Sequence, residues 1–210
     1  MFIRVEDLIM EKEMKSNNNK RMHHFILVHG LGQGAWCWYK VKTMLESAGH
    51  QVTALDLAAS GINHKKLNKV DTMWEYSRPV IEFMETISTE NRVILVGHSL
   101  GGLNIAYAMD KFPNKISVAV DKFLESAPKE RFSGTQFSFE GDPGKLKTTM
   151  LFGPKFLSSI AYQLSPAEDM LLATMLTRTG SMFLEDLSTA AKFSNTGYGS
   201  IELTSSAMMI

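Results

Sequence analysis

Short apolar runs alternate with helical patterns along the first half of the chain. HFILV, at residues 24–28, is a continuous apolar run of the kind that forms a parallel strand buried on both faces. Three later segments have similar strand patterns, namely HQVTALDL, RVILV and KISVAV. Apolar residues recur at helical spacing in the segments between and after these runs, at 35–49, 71–87 and 99–112. This alternation predicts a parallel sheet with right-handed crossovers.

Several residues at the ends of these segments are typical of helix caps. Gly49 follows the first helical segment, where a left-handed residue is preferred. Asp71 is the expected N-cap of the second helix, which we expect Pro79 to kink. In the second half of the chain, a further helix is predicted with Ser165 as its N-cap and Pro166 at its first position.

The second half of the chain differs in character from the first. From Asp121 to Phe193 we find helices and loops but no convincing strand, and this part is rich in Met, Phe and Leu. We expect it to form a helical cap over the open end of the sheet. The predicted division of the chain is a disordered leader at 1–22, an α/β core at 23–120, the cap at 121–195, and a segment at 196–210 that begins a core strand and ends in a divergent tail.

Composition argues against several classes of function. Lys plus Arg and Asp plus Glu both number 22, so there is no basic excess to bind nucleic acid or an anionic membrane. No apolar run approaches the ~18 residues of a membrane span, and the first residues lack the apolar segment of a signal peptide. The single cysteine, Cys37, rules out an internal disulfide and a cysteine-based metal cluster. We therefore expect a cytoplasmic protein without a metal, a cofactor, or a nucleic-acid or membrane partner.

A candidate nucleophile lies in the sequence Gly97-His98-Ser99-Leu100-Gly101, which follows the strand RVILV and precedes a helical segment. A Gly-X-Ser-X-Gly sequence alone is a weak signal, but a serine nucleophile on a sharp turn needs a strand before it and a helix after it. Gly97 and Gly101 suit such a turn, because Cβ atoms there would clash with the crossing backbone. The pattern therefore indicates a nucleophilic Ser99 at the carboxyl end of a parallel strand, where open α/β sheets bind ligands. The alternative is a serine that only caps the helix.

The glycine-rich loop LVHGLGQGAW, after the first strand, is a second element that such a nucleophile needs. One N–H of this loop and the N–H of the residue after the nucleophile form an oxyanion hole. In this chain these are the backbone N–H groups of Leu31 and Leu100. The loop glycines would let the backbone approach a substrate, and they are Gly30, Gly32 and Gly34. The alternative is a plain glycine-rich turn, whereas a phosphate-binding loop is excluded because no Gly-Lys-Ser/Thr occurs.

Three long segments resemble, in the same order, the plant methylesterase and hydroxynitrile lyase group of the α/β-hydrolases. They are HFILVHGLGQGAWCWYKVKTMLESAGHQVTALDLAASG, VILVGHSLGGLNIA and TMLFGPKFLSSIAYQLSPAEDMLLATMLTRTGSMFLEDL. The lyases of this group usually carry Thr and Glu at the positions of Gly30 and His98, so the chain is more similar to the esterase branch. A hydroxynitrile lyase remains the alternative within the group.

The resemblance implies an α/β-hydrolase fold, with a parallel sheet, a helical cap and its last strands missing. It implies a serine carboxylesterase that hydrolyses small apolar methyl esters without a cofactor, such as those of salicylate, jasmonate or indole acetate. Ser99 would be the nucleophile, with the Leu31 and Leu100 amides as oxyanion donors. Met150 and Phe152 of the cap are the expected pocket residues, and the expected ligand is a small apolar ester or acid.

The chain departs from this family at the other two catalytic positions. A serine esterase of this fold takes its Asp and His after the nucleophile in the chain, and neither has a counterpart here. All six histidines precede Ser99: His23, His24, His29, His50, His64 and His98. His29 and His98 are candidate substitute bases, although a structural role fits each of them better. We therefore expect strongly impaired ester hydrolysis, and the alternatives are a non-catalytic protein that binds a small ligand and a fragment that does not fold stably.

The resemblance also implies that a segment is absent after Val120, and that the strands which would cover KISVAV are missing. The outer edge of this strand would then carry unpaired backbone groups beside Ile116, Val118 and Val120. An uncharged, apolar strand edge is a template for pairing with another chain. We therefore expect self-association.

Overall fold

The computed structural model describes residues 22–122, 132–141, 146–189 and 192–205. Its strands are β1 (His24–Val28), β2 (Gln51–Leu55), β3 (Val93–His98), β4 (Ile116–Lys122), β5 (Gln136–Glu140), β6 (Lys147–Leu151), β7 (Gly180–Ser181) and β8 (Leu203–Ser205). A five-stranded parallel sheet has the order β2-β1-β3-β4-β8, and a three-stranded antiparallel sheet has the order β5-β6-β7. The parallel sheet confirms the predicted α/β fold, and the predicted leader lies outside the described residues except for Met22.

Helices connect the strands of the parallel sheet. The α-helices are α1 (Tyr39–Ser47), α2 (Met73–Thr86), α3 (Leu100–Lys111), α4 (Pro154–Phe156), α5 (Ala167–Leu176) and α6 (Leu184–Thr189). Short 3₁₀ segments cover Ala35–Trp38, Leu67–Lys69, Pro113–Lys115 and Tyr198–Ser200, and a π-helical turn covers Leu157–Ala161. The strands and helices predicted for the first half of the chain are therefore confirmed, with small shifts at their ends.

Two predicted helix caps are wrong by one residue. Thr72, not Asp71, is the N-cap of α2, because its extended backbone lets Oγ1 accept the Glu75 N–H at 3.1 Å. The Glu75 carboxylate accepts the N–H of Asp71, the residue before the cap, at 2.7 Å. The cap position of α5 is Pro166, whose ψ of 152° is extended, so this helix begins at Ala167.

Helices cover both faces of the parallel sheet, and alternate residues of β1 reach opposite clusters. On one face, Ile26 and Val28 pack with buried residues of α2 and α3. On the other face, Phe25 and Leu27 pack with Trp38 and with α1. Burial on both faces explains why β1 is a continuous apolar run in the sequence.

The prediction that residues 121–193 contain no strand is wrong. β5, β6 and β7 pair antiparallel, with Phe137 opposite Met150 and Met150 opposite Gly180. β5 is exposed along its whole length and β7 has only two residues, so neither shows the apolar run that marks a buried strand. The described part of the cap is therefore a small sheet together with α4, α5 and α6, not helices and loops alone.

The expected open edge of β4 is partly closed. β8 runs parallel to β4 and pairs residues 203–205 with residues 119–121. The Ala119 N–H also donates to Glu202 O at 3.1 Å. The prediction of a wholly unpaired edge is therefore wrong over this stretch, where β8 lies within the segment expected to begin a core strand. Residues 123–131, where a segment is expected to be absent, and the tail after Ser205 lie outside the described residues.

Candidate active site

Ser99 stands on a sharp turn between the end of β3 and the start of α3. Its backbone φ of 54° and ψ of −123° lie in a region that residues other than glycine rarely adopt. Such backbone strain persists only where the surrounding structure enforces it, and it is common at active sites. The Ser99 side chain does not cap the helix, so the helix-cap alternative is wrong. The structure therefore places Ser99 on the predicted strand–turn–helix.

The glycines predicted around this turn allow three backbone segments to meet. A Cβ at Gly97 would lie 2.7 Å from the Gly101 carbonyl, and a Cβ at Gly101 would lie 2.4 Å from Val28 O. A Cβ at Gly30 would lie 3.1 Å from Ser99 Cβ. All three distances are shorter than an ordinary van der Waals contact, so no side chain fits at these positions without movement. The absence of Cβ atoms therefore brings β3, α3 and the loop after β1 together around Ser99.

The loop after β1 lies directly over the turn, and Leu31 lines the same cavity as Ser99. Leu100 is the first residue of α3, so its N–H has no acceptor within the helix. The three loop glycines have different surroundings. A Cβ at Gly32 would lie 2.7 Å from Arg178 O, and a Cβ at Gly34 would lie 2.7 Å from Asp56 Oδ1. These two glycines make room for other parts of the protein, and Gly30 is the one that lines the cavity.

A small cavity of about 40 Å³ lies between the sheet and the cap, next to Ser99. The core contributes Gly30, Leu31, Gln33, His98 and Ser99, and the cap contributes Phe152, Phe156, Leu157, Ile160, Ala161 and Thr177. Most of the cap residues are apolar, whereas most of the polar groups come from the core. Of the two predicted pocket residues, Phe152 lines the cavity and stacks on Phe156 with ring centroids 4.5 Å apart. Met150 is buried in β6 and is not among the lining residues.

His98 also lines this cavity. Its Nδ1 lies 3.2 Å from Gln33 Oε1, and because an amide oxygen only accepts, the proton of this hydrogen bond belongs to Nδ1. The Gln33 amide nitrogen donates in turn to the Tyr162 hydroxyl at 3.3 Å. Gln33 therefore joins the histidine beside Ser99 to the cap. The loop containing Gln33 is visible in the sequence, but its link to Tyr162 spans 129 residues and has no sequence signal.

The other candidate base, His29, has a structural role. It is fully buried, its Nδ1 donates to Gly30 O at 2.8 Å, and its Nε2 accepts the Leu57 N–H at 3.1 Å. Burial lowers the pKa of His29 to about 4, although the hydrogen bond to Gly30 and the charge of Asp56 oppose this shift. Both ring nitrogens are engaged, so His29 has no lone pair available to accept a proton from Ser99.

The remaining histidines lie away from Ser99. His24 opens β1 opposite Val93, the first residue of β3, whereas Ser99 follows the carboxyl end of β3. The tilted rings of His23 and His50 lie close to that same amino-terminal edge, with centroids 5.6 Å apart. The six residues of β3 separate that edge from Ser99 by about 20 Å. His64 lines a separate surface groove.

The cap is held to the core by a buried carboxylate that sequence reasoning did not identify. Asp169 of α5 accepts a hydrogen bond from the Tyr39 hydroxyl and one from Lys40 Nζ, the latter at 2.6 Å. Burial acts to raise the pKa of Asp169, but the bonds from Lys40 and Tyr39 outweigh it and hold the pKa below its ordinary value. These contacts fasten α5 to α1, beside the loop that carries Gln33.

The described residues hold neither a candidate membrane span nor a candidate metal site. None of their helices combines the length and the apolar character needed to cross a membrane. Within the same residues, no three His, Cys, Asp or Glu side chains converge in a way that would hold a metal ion.

Comparison with known proteins agrees with this geometry. A family model described as alpha/beta hydrolase fold matches residues 23–120. Salicylic acid-binding protein 2 of Nicotiana tabacum is 45% identical over 200 residues, which cover 87% of this chain and 77% of that protein. Methylesterase 1 of Arabidopsis thaliana is 45% identical over 203 residues, which cover 88% of this chain and 77% of that protein. The crystal structure of polyneuridine aldehyde esterase matches with a TM-score of 0.85 at 41% identity, over 89% of this chain and 80% of that chain. The chain belongs to the plant methylesterase group of the α/β-hydrolase family.

Proposed function

We propose that this chain carries the nucleophile and the oxyanion hole of a serine carboxylesterase for small apolar methyl esters, and that a protein of these 210 residues turns them over slowly. The observation that carries the proposal is the position of Ser99, strained at φ 54° on the turn and facing a cavity shared with Leu31. Ser99 Oγ would attack the ester carbonyl, and the N–H groups of Leu31 and Leu100 would stabilise the oxyanion that forms.

The cavity supports a small, largely apolar acyl group. The stacked rings of Phe152 and Phe156 offer an apolar surface to such a group. The names of two relatives, a methylesterase and a salicylic acid-binding protein, point to the same kind of molecule. We therefore propose methyl esters of compact acids, such as methyl salicylate, methyl jasmonate or methyl indole acetate, as the substrate class.

Slow turnover is proposed because all six histidines precede Ser99, whereas this fold takes its catalytic histidine from the chain after the nucleophile. His29 uses both ring nitrogens, and His23, His24 and His50 lie at the opposite edge of the sheet. Loss of the catalytic histidine costs on the order of 10³–10⁶ in kcat. We therefore expect a kcat at least about a thousandfold below the usual enzyme range of roughly 1–10³ s⁻¹.

The experiment compares the full chain with Ser99→Ala, using p-nitrophenyl acetate and the proposed methyl esters. Ser47→Ala is the matched control, since Ser47 is an exposed serine of α1 whose hydroxyl donates to Thr43 O. We expect slow hydrolysis that is lost in Ser99→Ala and kept in Ser47→Ala. Equal rates in the full chain and Ser99→Ala would overturn the nucleophile assignment. A kcat within the usual range that falls in His98→Gln would instead show that His98 is the base.

A non-catalytic binding protein is the second candidate, because the cavity does not depend on a base. We expect compact apolar acids, such as benzoate, to raise the melting temperature without turnover of the corresponding ester. At a ligand concentration 100 times Kd, the shift for a chain of this length is roughly 5–10 °C. A chain that shows no cooperative transition with or without ligand would contradict both candidates and favour an unstable fragment.

A further inference from the structure

Thr177 is a polar residue held rigidly at the edge of the mostly apolar side of the cavity. It is the C-cap residue that follows α5, and its N–H donates to Ala173 O at 2.9 Å. The next N–H, of Arg178, donates to Gly32 O at 2.8 Å, in the loop beside Ser99. Two consecutive backbone hydrogen bonds therefore fix the Thr177 backbone relative to both the cap and the core.

The two arms of the Thr177 side chain have different surroundings. The methyl group lies 3.6 Å from the position that a Cβ would take at Gly32, so it packs against the loop. The hydroxyl oxygen is buried and has no hydrogen-bond partner among the described residues. A buried hydroxyl without a partner is costly, because it has lost the hydrogen bonds that it makes with water. The residue lines the cavity, so a bound ligand can supply the partner that the protein does not.

We propose that Thr177 is a specificity-determining residue that selects acyl groups carrying a hydrogen-bonding substituent, such as a ring hydroxyl. This inference rests on the proposed function, because it concerns the ligand of the same cavity. The remaining cap residues of the cavity are apolar and favour the body of the acyl group. A site that presents a buried polar group discriminates strongly against an otherwise similar ligand that leaves this group unpaired.

The test measures the binding of acids by calorimetry, so that it does not depend on turnover. The probes are benzoate and 2-, 3- and 4-hydroxybenzoate, which differ by one hydroxyl and its position. The variant is Thr177→Val, which keeps the branched shape and removes the hydroxyl. The matched control is Thr174→Val in α5, because Thr174 is exposed and its hydroxyl donates to Met170 O at 2.9 Å.

We expect at least one hydroxybenzoate to bind the unmodified chain at least about tenfold more tightly than benzoate. Thr177→Val should lose this preference and bind benzoate at least as tightly as before, whereas Thr174→Val should keep it. Without ligand, Thr177→Val should melt no lower than the unmodified chain, because it removes an unpaired buried hydroxyl.

Two results would overturn the inference alone: binding of benzoate with no preference for any hydroxybenzoate, or a preference that survives in Thr177→Val. A lower melting temperature of Thr177→Val would also count against it, since that result means the hydroxyl already has a partner in the free protein. If neither benzoate nor any hydroxybenzoate binds, the proposed binding cavity fails and the inference fails with it.

Discussion

Replacement of Gly101 with alanine would test how closely the helix after Ser99 must pack on the central sheet. An ideal Cβ at this position would lie 2.4 Å from Val28 O and 2.8 Å from His29 O. Close carbon–oxygen contacts in proteins are about 3.3–3.6 Å, so the added carbon requires a movement of about 1 Å. β1 is paired with β2 on one side and β3 on the other, which prevents it from moving alone. The helix α3 must therefore shift outward, and it carries Ser99 and Leu100 with it.

The size of the effect follows from two opposing contributions. Overpacking of a well-packed site costs about 1–3 kcal/mol, and contact with two backbone carbonyls of a fixed strand places Gly101→Ala at the upper end. Alanine is favoured over glycine within a helix by about 1 kcal/mol, which offsets part of the cost. The expected net loss is about 2 kcal/mol, or a decrease of about 4–8 °C in melting temperature for a chain of this length.

Thermal and urea denaturation of the full chain would measure this loss. Gly199→Ala is the matched control, because the nearest atom to an added Cβ at Gly199 is 3.6 Å away. This control should remain within about 0.5 kcal/mol of the unmodified chain. A melting temperature of Gly101→Ala equal to that of the control would refute the reasoning that direct backbone contact holds α3 against β1.

Three further predictions concern the buried histidine, the cap and the surface. Burial lowers the pKa of His29 to about 4 from an unfolded value of 6.5, so its contribution is complete above pH 6.5 and is lost as the pH falls toward 4. The contribution of His29 to the free energy of unfolding is about 3 kcal/mol. The melting temperature of His29→Asn should therefore fall less than that of the unmodified chain over that pH range. An equal fall in both proteins would assign the pH dependence to other groups. Asp169→Asn removes the charge that pairs with Lys40, so amide hydrogen exchange in α5 should accelerate relative to exchange in α3. Equal protection of α5 in the variant and in the unmodified chain would contradict the role of Asp169 in holding the cap. Phe139, 72% exposed on the edge strand β5, should promote self-association, and Phe139→Lys should shift the chain toward the monomer in sedimentation velocity; an unchanged distribution would exclude this edge.

The sequence by itself determined the central sheet and the turn that carries Ser99. β1 and β3 are continuous apolar runs because both of their faces are buried. This burial leaves a local pattern that can be recognised in the sequence alone. The roles of Gly97 and Gly101 can also be recognised from the sequence, because a turn in which a strand and a helix cross so closely excludes side chains at those positions. These features depend on residues that are neighbours in the chain, and local patterns therefore report them.

Only the tertiary structure decided the remaining features, because they depend on contacts between distant segments. β7 is too short to leave a periodic pattern, and the pairing of β7 with β6 and of β8 with β4 exists only once the chain has returned to those strands. The different roles of His29 and His98 have the same origin. Both flank the candidate site in the sequence, but Leu57 engages the ring of His29, whereas Gln33 orients the ring of His98 at the cavity. The Thr177 hydroxyl becomes significant only when α5 lies against Gly32, since burial without a partner is a property of the packed molecule and not of the residue.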